Sequence, residues 1–240
     1  MELATATWTD VADRETSLAV LPVGSTEQHG PHAPLGTDAV AAEEIARGGV
    51  EAHGGAVLAP TIPLGIAEEH RAFPGTMWLS PETFRTVVRE AVGSLAAHGF
   101  DRLVVVNGHG GNVDALREIT ATISRHDDAY AVAFTWFENV GDRGGEMGHG
   151  GPLETSLLLH RRPELIRRDR LAEARDGGAD RWGEWVGASN LAHDSAEFTE
   201  NGVVGDPTAA SAELGAELYE RATTALAELL AAVETRELDG

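Results

Sequence analysis

Cysteine and lysine are both absent from this chain of 240 residues. Without cysteine, the protein has no disulfide bonds, no zinc–thiolate sites and no cysteine nucleophile. It also lacks an uninterrupted run of about 18 apolar residues, so no membrane-spanning helix is expected. Residues 1–10 do not show the basic-then-apolar pattern of a secretory signal peptide. We therefore expect a cytoplasmic protein.

Positive charge is scarce as well. The 18 basic residues are all arginine and are outnumbered by 39 acidic residues, which gives a net charge of −21. A field of this sign repels nucleic acids and anionic membranes, so neither is expected as a partner. Excess carboxylates without lysine are typical of proteins that fold in concentrated salt, and we expect a halophilic source. Coding bias would explain the arginines but not the excess of acid.

Short apolar runs alternate with helical patterns along most of the chain. Strands are predicted at residues 17–23, 56–60, 103–106 and 130–136, and helices at 40–53, 80–98, 113–125, 152–160 and 209–233. This alternation predicts a single α/β domain over residues 1–240, built around a mostly parallel sheet. Residues 169–199 are polar and depart from the pattern, either as an excursion near the site or as a partner-binding loop.

The loop after the first predicted strand carries three side chains of the metal-ligating type. Glu27 and His29 are two positions apart, so an extended backbone points both the same way. Asp38 lies at the start of the next helix, where a carboxylate is favoured. Ligands of open α/β sheets bind beyond the carboxyl ends of the strands. Each residue alone is more often structural, but together in a loop rich in glycine and proline they favour metal binding.

Two later segments carry more such side chains. Asn107, His109 and Asn112 follow another buried strand, which presents His109 at the same edge of the sheet. The two asparagines are candidates for substrate binding, although turn formation alone also explains them. His149 and Glu154 flank the start of a later predicted helix.

A fourth segment, residues 65–76, offers candidates for a substrate pocket. Glu69 and His70 are candidate catalytic residues there, and Arg71 is a candidate for binding a substrate carboxylate. The alternative is an exposed charged loop closed by a Pro-Gly turn.

Five of these side chains form a ligand set without a thiol: Glu27, His29, Asp38, His109 and Glu154. Imidazole and carboxylate donors suit Zn²⁺, Fe(II) or Mn²⁺. Five ligands exceed what a single catalytic ion needs, which indicates two divalent ions about 3.5–4 Å apart, bridged by a carboxylate. Asp38 is the candidate bridge. His149 is the candidate catalytic acid that protonates the leaving nitrogen of an amide.

These segments resemble the creatininase family of metal-dependent amidohydrolases. The motifs that carry the resemblance are Gly-Ser-Thr-Glu-Gln-His-Gly-Pro-His with Asp38 eleven residues after Glu27, Glu-His-x-x-Phe-Pro-Gly-Thr, Asn-Gly-His-Gly-Gly-Asn, and His149 with Glu154-Thr-Ser. The resemblance implies a three-layer α/β/α fold, a dinuclear metal site, hydrolysis of C–N bonds and a homo-oligomer, often a hexamer built from dimers.

Two features bear on the substrate. Creatinine-hydrolysing members carry a Tyr-Glu pair where this chain has Gly110 and Gly111, so one candidate carboxylate ligand is missing. Residues 200–212 are similar to the branch that removes a C-terminal Val-Tyr dipeptide from the modified mycofactocin precursor peptide, which implies a modified peptide as substrate. The alternatives are hydrolysis of creatinine or of another small cyclic or formylated amide, and a non-catalytic assembly protein held together by metal.

The acidic composition leads to a first prediction. The free energy of unfolding is expected to rise with KCl, because the Debye length falls from about 10 Å at 0.1 M to about 3 Å at 1 M and self-repulsion weakens. Thermal unfolding across a KCl titration measures this. Potassium sulfate at equal ionic strength is the control, since sulfate also stabilises proteins by exclusion from their surface. Full stability in dilute buffer would contradict the halophilic interpretation.

Overall fold

The computed structural model describes residues 1–238, and each predicted strand and helix is present with its ends moved by three residues at most. The helices are Trp8–Ala12 (α1), Thr37–His53 (α2), Pro81–Ala96 (α3), Val113–His126 (α4), Pro152–Arg161 (α5), Leu171–Asp176 (α6) and Ala212–Glu234 (α7). The strands are Leu18–Val23 (β1), Val57–Leu58 (β2), Arg102–Asn107 (β3), Tyr130–Thr135 (β4), Trp185–Val186 (β5) and Ser189–Asn190 (β6). The unpredicted elements α1, α6, β5 and β6 are too short to show a period in the sequence.

The main sheet is parallel and has the strand order β2-β1-β3-β4. Strand β1 pairs with β3 from Leu18 opposite Arg102 to Val23 opposite Asn107. Because the two strands end side by side, the loops that follow them begin at the same edge of the sheet. This edge is where the candidate ligands after β1 and β3 meet.

Helices cover both faces of the sheet. Val20 and Val104 point into one core, which they share with α2, α5 and α7. Their neighbours Leu21 and Val105 point into the other core, against α3 and α4. Strands buried on both faces read as continuous apolar runs, which is why β1 and β3 stand out in the sequence. The arrangement confirms the three-layer α/β/α fold with a parallel central sheet.

Glycine allows the end of β3 to touch the start of α2. A Cβ atom at Gly108 would overlap the backbone carbonyl oxygen of Asp38. Asp38 lies in the first turn of α2 and is 1% exposed. Because Gly108 has no side chain, the loop after β3 can lie close to Asp38 at the start of α2.

Residues 169–199 form an excursion from the sheet that contains α6 and the β5–β6 hairpin. It is tied to the rest of the chain near the short 3₁₀ turn Glu68–His70, where Arg71 pairs with Asp194 at 2.7 Å. Ser195 Oγ also donates a hydrogen bond to the Glu69 carbonyl. Among the described residues, no helix combines the length and the apolar character that crossing a bilayer requires.

The contact at Gly108 yields a prediction with a matched control two residues away. Gly108→Ala is expected to lower the free energy of unfolding by about 1–3 kcal/mol, as overpacking against a fixed backbone usually does. At Gly110 an added Cβ would meet no atom within 4 Å, so Gly110→Ala is expected to be neutral or slightly stabilising. Denaturant unfolding compares the two variants. Equal stability would contradict the close approach.

Candidate metal centre

The loops after β1 and β3 and the first turns of α2 and α5 bring the predicted ligands into one cluster. The members are Glu27, His29, Asp38, His109 and Glu154, none of which is more than 4% exposed. Charged side chains are rarely buried to this degree unless they are paired or coordinate a cation. Burial of these carboxylates is therefore favourable only if positive charge lies inside the cluster.

Three overlapping groups of side chains could each hold an ion. In each group the ligand atoms lie within 4.8 Å of one another; the groups are Glu27, Asp38 and His109; His29, Asp38 and Glu154; and Glu27, His29 and His149. Asp38 belongs to the first two. Its Oδ2 lies 3.1 Å from His109 Nδ1, and its Oδ1 lies 3.0 Å from His29 Nε2. One carboxylate thus presents an oxygen to each of two neighbouring groups.

The three histidines of these groups are oriented in the same way. The bonds run from His109 Nε2 to Ile66 O (2.6 Å), from His29 Nδ1 to Glu27 O (3.2 Å) and from His149 Nε2 to Gln28 O (2.5 Å). A carbonyl oxygen only accepts, so each of these nitrogens carries the proton. The other ring nitrogen then faces the carboxylates and presents its lone pair to them once it is deprotonated, as in histidines that ligate metals.

Several buried polar atoms of the cluster have no hydrogen-bond partner. They are both carboxylate oxygens of Glu27, Nε2 of His29 and Oδ2 of Asp38. Leaving buried charged oxygens unsatisfied is costly, and a single class of ligand, a cation, satisfies all four atoms. Nitrogen and oxygen donors without sulfur suit zinc, iron or manganese. The residues present therefore fit a divalent metal ion.

The same proximity shifts the titration of the cluster. Burial lowers the pKa of His29, but the carboxylates of Asp38 and Glu154 outweigh it and hold that pKa well above its ordinary value. Burial likewise lowers the pKa of His109, and Glu27 and Asp38 more than reverse it. Burial raises the pKa of Asp38, yet the two histidines hold it well below its usual range. Metal ions therefore compete with protons for these nitrogens.

His70, a predicted catalytic residue, lies beside the cluster and contacts Glu27. Gln28 Oε1 accepts a hydrogen bond from the Gly30 N–H (2.9 Å), so Gln28 Nε2 donates to His70 Nδ1 (2.8 Å). The proton of His70 is thereby assigned to Nε2, which faces Glu27 Oε1 at 3.5 Å. The His70 ring also stacks on His149 at 4.2 Å. Its contacts suit a residue that orients the Glu27 carboxylate.

His149, the predicted proton donor, lies in one of the three groups of candidate ligands. Burial, followed by the nearby His29, lowers the pKa of His149 to about 4. Its Nε2 proton is donated to a backbone carbonyl, and its Nδ1 faces Glu27 Oε1 at 3.7 Å. The side chain therefore offers a lone pair to the cluster, and the structure brings it among the candidate ligands.

The cluster opens into a cleft of about 630 Å³, within the range usual for ligand-binding sites. Glu69 lines the cleft beside Asp38 and His109 and belongs to none of the three groups. Burial raises the pKa of the Glu69 carboxyl. The predicted position of Glu69 in a pocket thus agrees with its position in the structure.

The excursion of residues 169–199 forms one wall of the cleft. The Trp182 ring meets His70 and His149 edge-on, with centroids 5.6 Å and 6.1 Å away. Arg181 and Asp180 also line the cleft. Of the two interpretations of this segment, the structure therefore supports the excursion near the site. Tryptophan within a polar stretch was the only sequence signal, and it did not identify the side chain's neighbours.

The three predicted substrate-binding residues do not line the cleft. Arg71 is exposed and pairs with Asp194, so its guanidinium is already held by a carboxylate of the chain. Asn107 and Asn112 are buried and bond to backbone atoms of the loops around them. Their amide groups hold the loops in place, which is the turn-forming alternative.

Comparison with known proteins agrees with the fold. Residues 4–230 match the creatininase family, described as creatinine amidohydrolase, and the chain belongs to this family. It is a hydrolase of C–N bonds.

The sequence identity differs between members of the family. The chain is 38% identical to the mycofactocin precursor peptide peptidase of Mycobacterium ulcerans, over 91% of this chain and 86% of that protein. It is 30% identical to the creatinine amidohydrolase of Pseudomonas putida, over 70% and 74% respectively. A crystal structure from Bacteroides fragilis, provisionally named creatinine amidohydrolase, superposes with a TM-score of 0.85 at 26% identity and covers 100% of this chain and 98% of that one.

The unsatisfied cluster predicts stabilisation by divalent metal. With free Zn²⁺ or Mn²⁺ at about 100 times the Kd, the free energy of unfolding is expected to rise by about 2.7 kcal/mol, which is roughly 2–4 °C in Tm per kcal/mol for a chain of this size. Asp38→Asn is expected to abolish most of this shift. Asp114→Asn is the control, because the Asp114 side chain is fully exposed. A metal-induced shift that Asp38→Asn leaves intact would contradict the assignment.

Proposed function

We propose that this chain is a metal-dependent peptidase that removes the C-terminal Val-Tyr dipeptide from the modified mycofactocin precursor peptide. The observation that carries the proposal is the buried ligand cluster, with Asp38 shared between two groups, at the floor of a cleft of about 630 Å³. The higher identity to a peptidase of that name, 38% against 30% for a creatinine amidohydrolase, supports the substrate.

The proposed cofactor is a pair of divalent ions, either zinc, iron or manganese. Glu27, Asp38 and His109 would hold one ion, and His29, Asp38 and Glu154 the other, so Asp38 is the proposed bridge. Creatinine-hydrolysing members have a glutamate where this chain has Gly111, so that candidate ligand is missing here. Glu154 still supplies a carboxylate to the second group. When bound, such a pair provides Lewis acidity at the scissile amide.

The side chains around the cluster have separate proposed roles. Glu69 is the half-buried cleft carboxyl outside the ligand groups, whereas Glu146 and Asp180 are exposed. We assign to Glu69 the proton transfer from the attacking water to the leaving nitrogen. His70, through its Nε2 proton, keeps the Glu27 carboxylate in orientation. His149 extends the ligand set with its Nδ1 lone pair.

The cleft itself favours a peptide over a small cyclic amide. Its volume of about 630 Å³ leaves room for several residues of a peptide, whereas a creatinine ring would fill a small part of it. Phe137, Met147 and Trp182 give one side an apolar surface suited to side chains of a peptide. Hydrolysis of creatinine or a formamide is the alternative that the same assays test.

The proposal extends to assembly. The family resemblance implies a homo-oligomer, and exposed apolar side chains near the site, Leu35, Met77 and Trp78, fit such an interface. Light scattering in concentrated KCl measures the mass of the particle.

Peptide cleavage provides the direct test of function. Metal-loaded protein in concentrated KCl is expected to release Val-Tyr from the decarboxylated precursor peptide, with loss of activity on chelation, as followed by mass spectrometry. Glu69→Gln is expected to lower kcat by about 10²–10⁴ with the metal content unchanged. Glu68→Gln is the matched control, because its side chain is exposed and lies outside the cleft lining. Turnover of creatinine without peptide cleavage would refute the proposal.

The two-ion arrangement predicts a graded loss of metal. Elemental analysis after dialysis is expected to give two ions per chain for the unmodified protein, one for His109→Ala and fewer than one for Asp38→Asn, since Asp38 belongs to both groups. His126→Ala, a change at an exposed residue at the end of α4, is the control and should keep two ions. Equal metal content in His109→Ala and Asp38→Asn would exclude Asp38 as a bridge.

A further inference from the structure

An exposed arginine, Arg181, lines the acidic cleft. Arg181 is the sole arginine in its lining, alongside the carboxylates of Asp38, Glu69, Glu146 and Asp180. Within residues 1–238 its guanidinium forms no ion pair, whereas the arginine first expected to bind substrate, Arg71, is paired with Asp194. In a chain of net charge −21, an arginine that lines the cleft and has no carboxylate partner is available to bind an anionic ligand.

The backbone holds Arg181 in a fixed relation to the cluster. Ala179 and His149 both bridge to Val204: the Ala179 N–H donates to Val203 O (2.9 Å), and His149 and Val204 exchange two hydrogen bonds (3.0 and 2.8 Å). Gly205 N–H closes the arrangement on the Ala179 carbonyl (2.8 Å). Arg181 therefore lies two residues after Ala179, in the same set of backbone hydrogen bonds that positions the candidate ligand His149.

We propose that Arg181 binds the free C-terminal carboxylate of the peptide substrate. The inference rests on the proposed peptidase function and names the group by which the substrate end is recognised. Trp182, Phe137 and Met147 line the cleft with Arg181 and would receive the apolar part of the terminal residue. The cleft then selects chain ends over internal peptide segments.

Electrostatics explains why a single arginine suffices for this selection. A substrate carboxylate entering the cleft meets Glu69, Glu146 and Asp180, which lie outside the ligand groups, and a neighbouring guanidinium offsets their repulsion. The planar guanidinium matches a carboxylate with two parallel hydrogen bonds. A substrate whose terminal carboxylate is amidated loses this pairing and keeps all other contacts, so it isolates the contribution of Arg181.

The test is a cycle of two peptides and three proteins. For metal-loaded unmodified protein, kcat/KM is expected to be roughly tenfold or more higher for the free-acid peptide than for its C-terminal amide, as for other hydrogen bonds to charged groups. Arg181→Gln is expected to raise KM for the free acid, to leave kcat nearly unchanged and to remove the preference. Arg168→Gln is the control with the same change in charge, because Arg168 is exposed and lies outside the cleft.

A binding measurement separates this inference from the proposed function. The probe is the same pair of peptides with an N-methylated scissile amide, titrated by calorimetry into each metal-loaded protein. Free-acid binding that depends on Arg181, without cleavage of the normal peptide, would support the subsite and refute the peptidase. Cleavage with an acid preference that survives in Arg181→Gln would overturn the inference and leave the peptidase standing. Absence of both binding and cleavage would refute both.

Discussion

Buried carboxylates with too few hydrogen-bond donors are the constraint on which the rest of this structure depends. Glu27, Asp38 and Glu154 converge at the end of a parallel sheet, and neither oxygen of Glu27 accepts a hydrogen bond, with the His70 Nε2–H still 3.5 Å away. Such an arrangement is unfavourable in an apolar interior unless positive charge lies between the acids. The surrounding histidines offer nitrogen lone pairs, and their outer nitrogens are fixed by carbonyls. The fold thus buries the carboxylates together, and a bound cation compensates their negative charge.

The layers, strand order and most element boundaries follow from features that a sequence displays directly. Continuous apolar runs identify β1 and β3, and the serine cap with a following proline identifies the start of α3. The five predicted ligands also converge, because in-register parallel strands deliver consecutive loops to one edge. In these cases the residue types and their positions in the sequence were enough for the prediction, because local pattern determines the elements and sheet geometry brings the loops together.

Roles that depend on the proton or the partner of a side chain could not be predicted in the same way. The hydrogen bond between His149 Nε2 and the Gln28 carbonyl joins residues 121 positions apart, so no local pattern reveals it. Arg71 was expected to meet a ligand, but Asp194 in the excursion already pairs with it. The sequence did not single out Arg181, because its place in the cleft lining depends on how residues 169–199 pack near Val204. Long-range hydrogen bonds and pairings decide these roles, and periodicity carries no information about them.

The alignment of Val23 with Asn107 determines the geometry of the ligand cluster. A slip of one residue between β1 and β3 would displace one loop by about 3.3 Å and turn its side chains to the opposite face. The shared carboxylate could then no longer reach both histidines. Binding of ions by both groups of ligands therefore requires the native alignment of β1 and β3, so the register of the sheet and the geometry of the metal centre depend on the same strand pairing.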